Sequence, residues 1–183
     1  MPDEKFLQRT IAEYRQFKQK AESALAQESP KNWFRKIDSD ANLLTDLVRH
    51  LSGSLRSRWR DFLPTDGEKA DRHRDAEFAT VPAESNGQLM ARWESAWESH
   101  FDELNSLQPE DLSRTVLIHS ETHTVPQAIL RNVTHCAYHV GQIVSLTKNF
   151  AGSDWKTLNV PRGQSEGYNR KSRERPPGPG NQP

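Results

Sequence analysis

His135 and His139 stand four residues apart in the segment RNVTHCAYHVGQIVSL. On a helix, four residues turn the chain by about 400°, so both imidazoles leave the same face one turn apart. Two imidazoles placed this way grip one divalent metal ion. A pair alone binds weakly, so a third ligand is needed. Among the seven His, His50 is the best third partner. It follows Leu47 by three residues, on the edge of an apolar stripe and near the middle of its own segment. Helices packed side by side bring their middles to one level whichever way they run, which sets His50 beside the pair. Three neutral imidazoles leave at least one coordination position open, as catalytic rather than closed structural sites do. That position takes water, a thiol or a carboxylate, and the ion lowers the pKa of a bound water or thiol toward neutrality.

Other residues carry weaker signals. His119 and His123 are also four apart, but in a stretch that reads as extended, where that spacing has no such meaning. His123 precedes the fourth helix and is a candidate for the pocket mouth. Gln142 lies one turn beyond His139, placed to orient a ligand imidazole or hold a bound water. Arg162, with Ser165 in PRGQS, is a candidate to fold back and hold a substrate carboxylate or phosphate; a plain surface turn is the alternative. Cys136 points about 100° away from His135 and reads as packing. His73 and His100 read as solvated. Arg56, Arg58, Arg72, Arg74, Asp75 and Glu77 read as a solvated face or an ion-pair network.

The elements that must position these groups are four helices. The first runs from about Glu4 to Gln27, with Phe6, Ile11, Tyr14, Phe17, Ala21 and Leu25 at helical spacing. The second runs from about Asp40 to Phe62, with Ser39 or Asp40 as N-cap, and carries Leu43, Leu44, Leu47, Val48, Leu51, Leu55 and Trp59. A polar connection follows, roughly Thr65 to Ser85, long enough to be functional or mobile. The third helix spans about Asn86 to Leu107, and its Trp93 and Trp97 belong to the core or a dimer face. Thr115 to Ile118 reads as a strand. The fourth helix starts near Val125, with Thr124 as N-cap, and reaches about Phe150 before Gly152. Residues 1–169 form one domain, and the polar end, 170–183, reads as a disordered tail.

Composition narrows the class. Lys plus Arg equals Asp plus Glu at 25 each, which argues against nucleic acid as a partner. No apolar run approaches the ~20 residues of a membrane span, and the start, MPDEKFLQRT, has no signal-peptide core. The single Cys excludes an intrachain disulfide, which fits a cytoplasmic location.

Three segments resemble one family. HLSGSLRSRWRDFLPTDGEKADRHRDAEF is similar to the second helix and following loop of DinB-like (YfiT-type) proteins, most of all a branch grouped as a domain of unknown function. HTVPQAILRNVTHCAYHVGQIVSL resembles their fourth helix, and DWKTLNVPRGQSEGYN that branch's C-terminal segment. The pattern is a His early in helix two, then HxxxHxGQI. The resemblance implies an all-α four-helix bundle and one bound metal ion, nickel or zinc, with His50, His135 and His139 as ligands. It further implies a homodimer and, as in some relatives, a thiol-dependent transferase using a low-molecular-weight thiol. Metal-activated thiol transfer is therefore the leading expectation. A non-catalytic, stress-related metal-binding dimer and a metal-dependent hydrolase stand beside it.

Overall fold

The apolar periodicity predicts four long helices, and they are α1 (Pro2–Leu25), α2 (Leu44–Trp59), α3 (Asn86–Ser106) and α4 (Val125–Ala151). The computed structural model describes residues 2–79 and 84–174. The helices form a bundle in which α1 packs chiefly on α4, α2 on α3, and α2 also meets α4. Their stripes meet in one core whose largest fully buried side chains are Trp59, Trp93, Trp97 and Tyr14. Each such side chain contributes about 1.5–3 kcal/mol or more through the apolar surface it removes from water. One polar hub crosses this core. The Asn132 side-chain oxygen accepts from the Tyr14 hydroxyl at 2.8 Å and from Trp59 Nε1 at 3.0 Å, tying α1 and α2 to α4. Trp93 and Trp97 are core residues.

Local signals set the ends. Ser85 and Gln88 cap α3 reciprocally, as Thr124 and Gln127 cap α4. Gly152 ends α4 with φ +55°, a conformation that costs glycine little. The start of α2 differs from expectation. It begins at Leu44, because the Asp46 carboxylate accepts from the Leu43 N–H at 2.9 Å. Asp38, meanwhile, spends its side chain on a turn, accepting from the N–H groups of Asp40 and Ala41. Neither Ser39 nor Asp40 is the cap.

Between α3 and α4 lies a hairpin, β1 (Thr115–Ile118) paired antiparallel with β2 (Glu121–Thr124). Its two-residue turn, His119–Ser120, has both φ values positive, at 53° and 63°, as a type I′ turn requires. Asp66 offsets that strain by accepting from both turn N–H groups, at 3.0 and 2.7 Å. The hairpin is thereby docked onto the loop that follows α2.

Residues 170–174, expected in a disordered tail, belong instead to a helix, α5 (Ser165–Glu174). Glu166 in its first turn and Lys171 and Arg173 in its last complement the helix dipole. Residues 175–183 of the expected tail lie outside the described residues. No described helix is long and apolar enough to cross a membrane.

Candidate metal centre

His50 projects from α2 and His135 and His139 from α4. One ring nitrogen from each lies within 4.8 Å of the others. The Nε2 atoms of His50 and His135 are 3.1 Å apart. Two nitrogens bound at about 2.0–2.1 Å to one tetrahedral ion stand about 3.3 Å apart, so this spacing fits a shared ion. His50 and His139 are buried and His135 is half-buried. Ligand imidazoles must be neutral. Burial above all, then His139 and His50, pushes the His135 pKa down to about 3. Burial, then His50, pushes that of His139 down to about 4. The donor set therefore suits a divalent cation.

The polar connection after α2 supplies the support. A 3₁₀ turn, Arg74–Phe78, folds back over α2. The Glu77 carboxylate there accepts from His50 Nδ1–H at 2.8 Å. That leaves Nε2 as the lone-pair nitrogen, aimed at the other two rings. Arg72 donates to both Glu77 oxygens, at 2.9 and 3.0 Å. Burial alone would raise the Glu77 pKa, but the hydrogen bonds from His50 and Arg72 outweigh it and hold the carboxyl below its ordinary value. Arg49 anchors the same turn, donating to the carbonyls of Glu77 and Ala79 and to Glu84. The Phe78 ring covers His50, with centroids 4.9 Å apart.

The room for Glu77 comes from Gly53, three residues after His50. A Cβ at that position would stand 2.1 Å from Glu77 Oε1. Glu77 was not singled out from the charged run around it. The available signal was a glycine inside a strongly apolar helix, one turn from a proposed ligand.

His50 and His135 also line a cavity of about 440 Å³, the size of a small-molecule site. Its walls include Ser54, Arg58, Arg72, Arg131 and Tyr138. A smaller cavity, about 220 Å³, shares Arg72 with it and is lined by Glu77, but by none of the three clustered histidines.

The remaining sequence candidates fall as follows. Gln142 is half-buried beyond His139, and its side-chain oxygen has no hydrogen-bond partner among the described residues. Among the same residues His139 Nδ1 and His135 Nδ1 are likewise buried without one. His123 pairs with Val116 in the hairpin, near Glu121 and Arg131, and does not line the cavity. His119, at the hairpin tip, does. Arg162 is exposed and lines none of the cavities described above. Cys136 is fully buried, and burial pushes its thiol up to about 12, so it is inert packing. His100, expected in solvent, is fully buried beside Tyr14 and Trp59.

The family described as protein of unknown function (DUF1572) matches residues 2–164. No curated protein and no solved structure matches the chain.

Proposed function

The chain belongs to the DUF1572 family of proteins of unknown function, and from that premise we propose that it is a metal-dependent enzyme, with thiol transfer as its chemistry. The observation that carries this reading is the convergence of His50 and His135 Nε2 at 3.1 Å, on the wall of a substrate-sized cavity. A divalent ion there, nickel or zinc, would depress the pKa of a thiol bound at its open position, giving a thiolate nucleophile near pH 7. The residues of the chain do the rest. Glu77 fixes the tautomer and tilt of His50, and Arg72 fixes Glu77. Half-buried His135 and buried His139, both held neutral, keep their lone pairs available at neutral pH. Kinship with the wider DinB-like proteins, a homodimer and a cytoplasmic location belong to the same reading. Leu130 and Tyr138, exposed on α4, suit a face shared between two copies.

Metal analysis of the native protein beside a His50→Ala variant tests the site. About one ion per chain is expected in the first and a clear deficit in the second. Unchanged stoichiometric metal in His50→Ala would sink it. A panel of thiols and electrophiles, run against an ester and amide panel, then separates thiol transfer from hydrolysis. Inactivity of the fully loaded protein on both panels would favour a non-catalytic metal-binding protein.

A further inference from the structure

The wall of the cavity beside the three histidines carries a cation, Arg58, that makes no hydrogen bond or ion pair among the described residues. His50, Ser54 and Arg58 follow one another at intervals of four along α2 and all line the cavity. That spacing stacks them on one helix face, with Arg58 about 12 Å along the axis from His50. A helical side chain leans toward the N-terminus, which brings the guanidinium back toward the histidines. Arg58 is only 9% exposed. Among the described residues it makes no hydrogen bond and no ion pair, and its Nη1 is buried without a partner. Every other deeply buried arginine of the region is satisfied. Arg49 holds Glu84 and two carbonyls, and Arg72 holds Glu77 and Glu68. Glu68, on the same cavity wall, is thus engaged by Arg72. Arg131 and Arg74 add further positive charge to the lining.

A buried guanidinium left without a partner is costly, since desolvation is offset only by hydrogen bonds and an opposite charge. Its position is nonetheless specified. Gly67 packs against it so closely that a Cβ there would lie 2.9 Å from Arg58 Cδ and 3.1 Å from Nη1. Burial, then Arg131, pulls its pKa below the ordinary value against the weaker pull of Glu68 and Asp66, neither of which pairs with it, and an arginine remains a cation at neutral pH all the same.

We propose that Arg58 is the anchor for an anionic group, a carboxylate or phosphate, on the small molecule that takes the metal's open position. The substrate class is then a bifunctional one, with a metal-binding donor at one end and an anion at the other. The planar guanidinium suits either anion through paired N–H donors. This inference rests on the metal-centre reading above and adds to it the second point of recognition.

The test uses the full chain loaded with nickel. Mercapto acids of two to four carbons are compared with uncharged 2-mercaptoethanol, each followed by the absorption band that appears when a thiolate joins the ion. At least one acid should bind about tenfold tighter than the alcohol or better, the scale of a charge-assisted hydrogen bond. In Arg58→Gln that advantage should shrink to about twofold or less, with metal content and mercaptoethanol affinity unchanged. Arg58→Lys should restore part of it. Gly67→Ala keeps the charge but displaces the guanidinium, so it should weaken the acids and not the alcohol, and it decides the matter if Arg58→Gln does not fold. Equal binding of acid and alcohol to the native protein, or a full advantage retained in Arg58→Gln, overturns the proposal. If the chain takes up no metal, the metal reading fails by itself. The anion site is then read on the metal-free chain from the Arg58 Nε–H resonance during titration with propionate. A saturable shift supports it and no shift overturns it.

Discussion

The bundle buries histidines in two unlike ways. His50, His135 and His139 converge across α2 and α4, with a carboxylate behind one ring and a cavity in front of two. His100 sits alone on α3 in an aromatic box. Its ring centroid is 4.3 Å from that of Tyr14, 4.6 Å from Trp59 and 5.6 Å from Trp97, and neither nitrogen has a hydrogen-bond partner among the described residues. Burial holds His100 neutral, as it does the two clustered histidines on α4. Neutrality is therefore not what marks the metal centre. What marks it is geometry: several nitrogens aimed at one point, one of them oriented by a carboxylate that is itself held by an arginine. His100 has the electronic state of a ligand and none of the partners.

The contrast is broken most forcefully by acid. An exposed imidazole titrates near 6.5, whereas burial pushes His100 down to about 3. Between those values the unfolded chain binds a proton that the folded chain refuses. Stability must then fall as the pH drops through that window, by about 1.4 kcal/mol per pH unit for this residue. His135 and His139 act in the same direction in metal-free protein. His100→Phe should remove one proton's share of the slope while leaving the metal content at pH 7 at about one per chain. Urea midpoints at pH 7, 6 and 5 on metal-free protein measure the slope. A slope equal to that of the native chain would mean that His100 is not the buried neutral group described.

Why the two sites differed in legibility follows from the same comparison. The spacing of His135 and His139 and the depth of His50 are properties of single helices, and a period of 3.6 residues reveals them. All four helices were legible for the same reason, and the strand Thr115–Ile118 as a short apolar run. His100 was misplaced by its polar type: it stands three residues after Trp97 and four before Leu104, on the buried stripe of α3, where Tyr14 of α1 and Trp59 of α2 close over it. The stretch around His119 and His123 reads as extended, but its pairing as β2 was not legible because the I′ turn is His119–Ser120, without the usual Asn or Gly, and depends on a distant carboxylate, Asp66. Glu77 and Arg58 read as members of a solvated face or an ion-pair network; Glu77 does pair with Arg72, but its burial beside His50 was not legible. Their flanking residues Arg56 and Asp75 are indeed exposed. The chain path of the loop, which no local pattern encodes, decides which of these charges face inward.

Glu77→Gln sharpens the contrast at the metal centre alone. The carboxylate behind His50 Nδ1 has no counterpart at His100, so its loss should leave the acid slope of His100 untouched. Metal affinity should fall by about 10–100-fold, the usual consequence of removing an outer-shell partner. A competitive chelator titration gives the number directly. Unaltered affinity would show that Glu77 serves the loop through Arg72 and not the ligand through His50.

The smallest effect is the most discriminating, because its sign is at issue. Replacing a helical glycine by alanine ordinarily stabilises a protein by about 1 kcal/mol. At Gly53 the added Cβ would stand 2.1 Å from Glu77 Oε1 and 2.8 Å from its Cδ. The carboxylate cannot retreat freely, since Arg72 and His50 hold it from two sides. Gly53→Ala should therefore lower stability or metal affinity where helix propensity alone predicts a gain. In a Glu77→Ala background the obstacle is gone, and the same substitution should recover its ordinary stabilising sign. Urea unfolding of the four combinations forms a double-mutant cycle that isolates the contact. If Gly53→Ala stabilises both backgrounds equally, the carboxylate does not occupy the groove over α2, and the support assigned to His50 is lost with it.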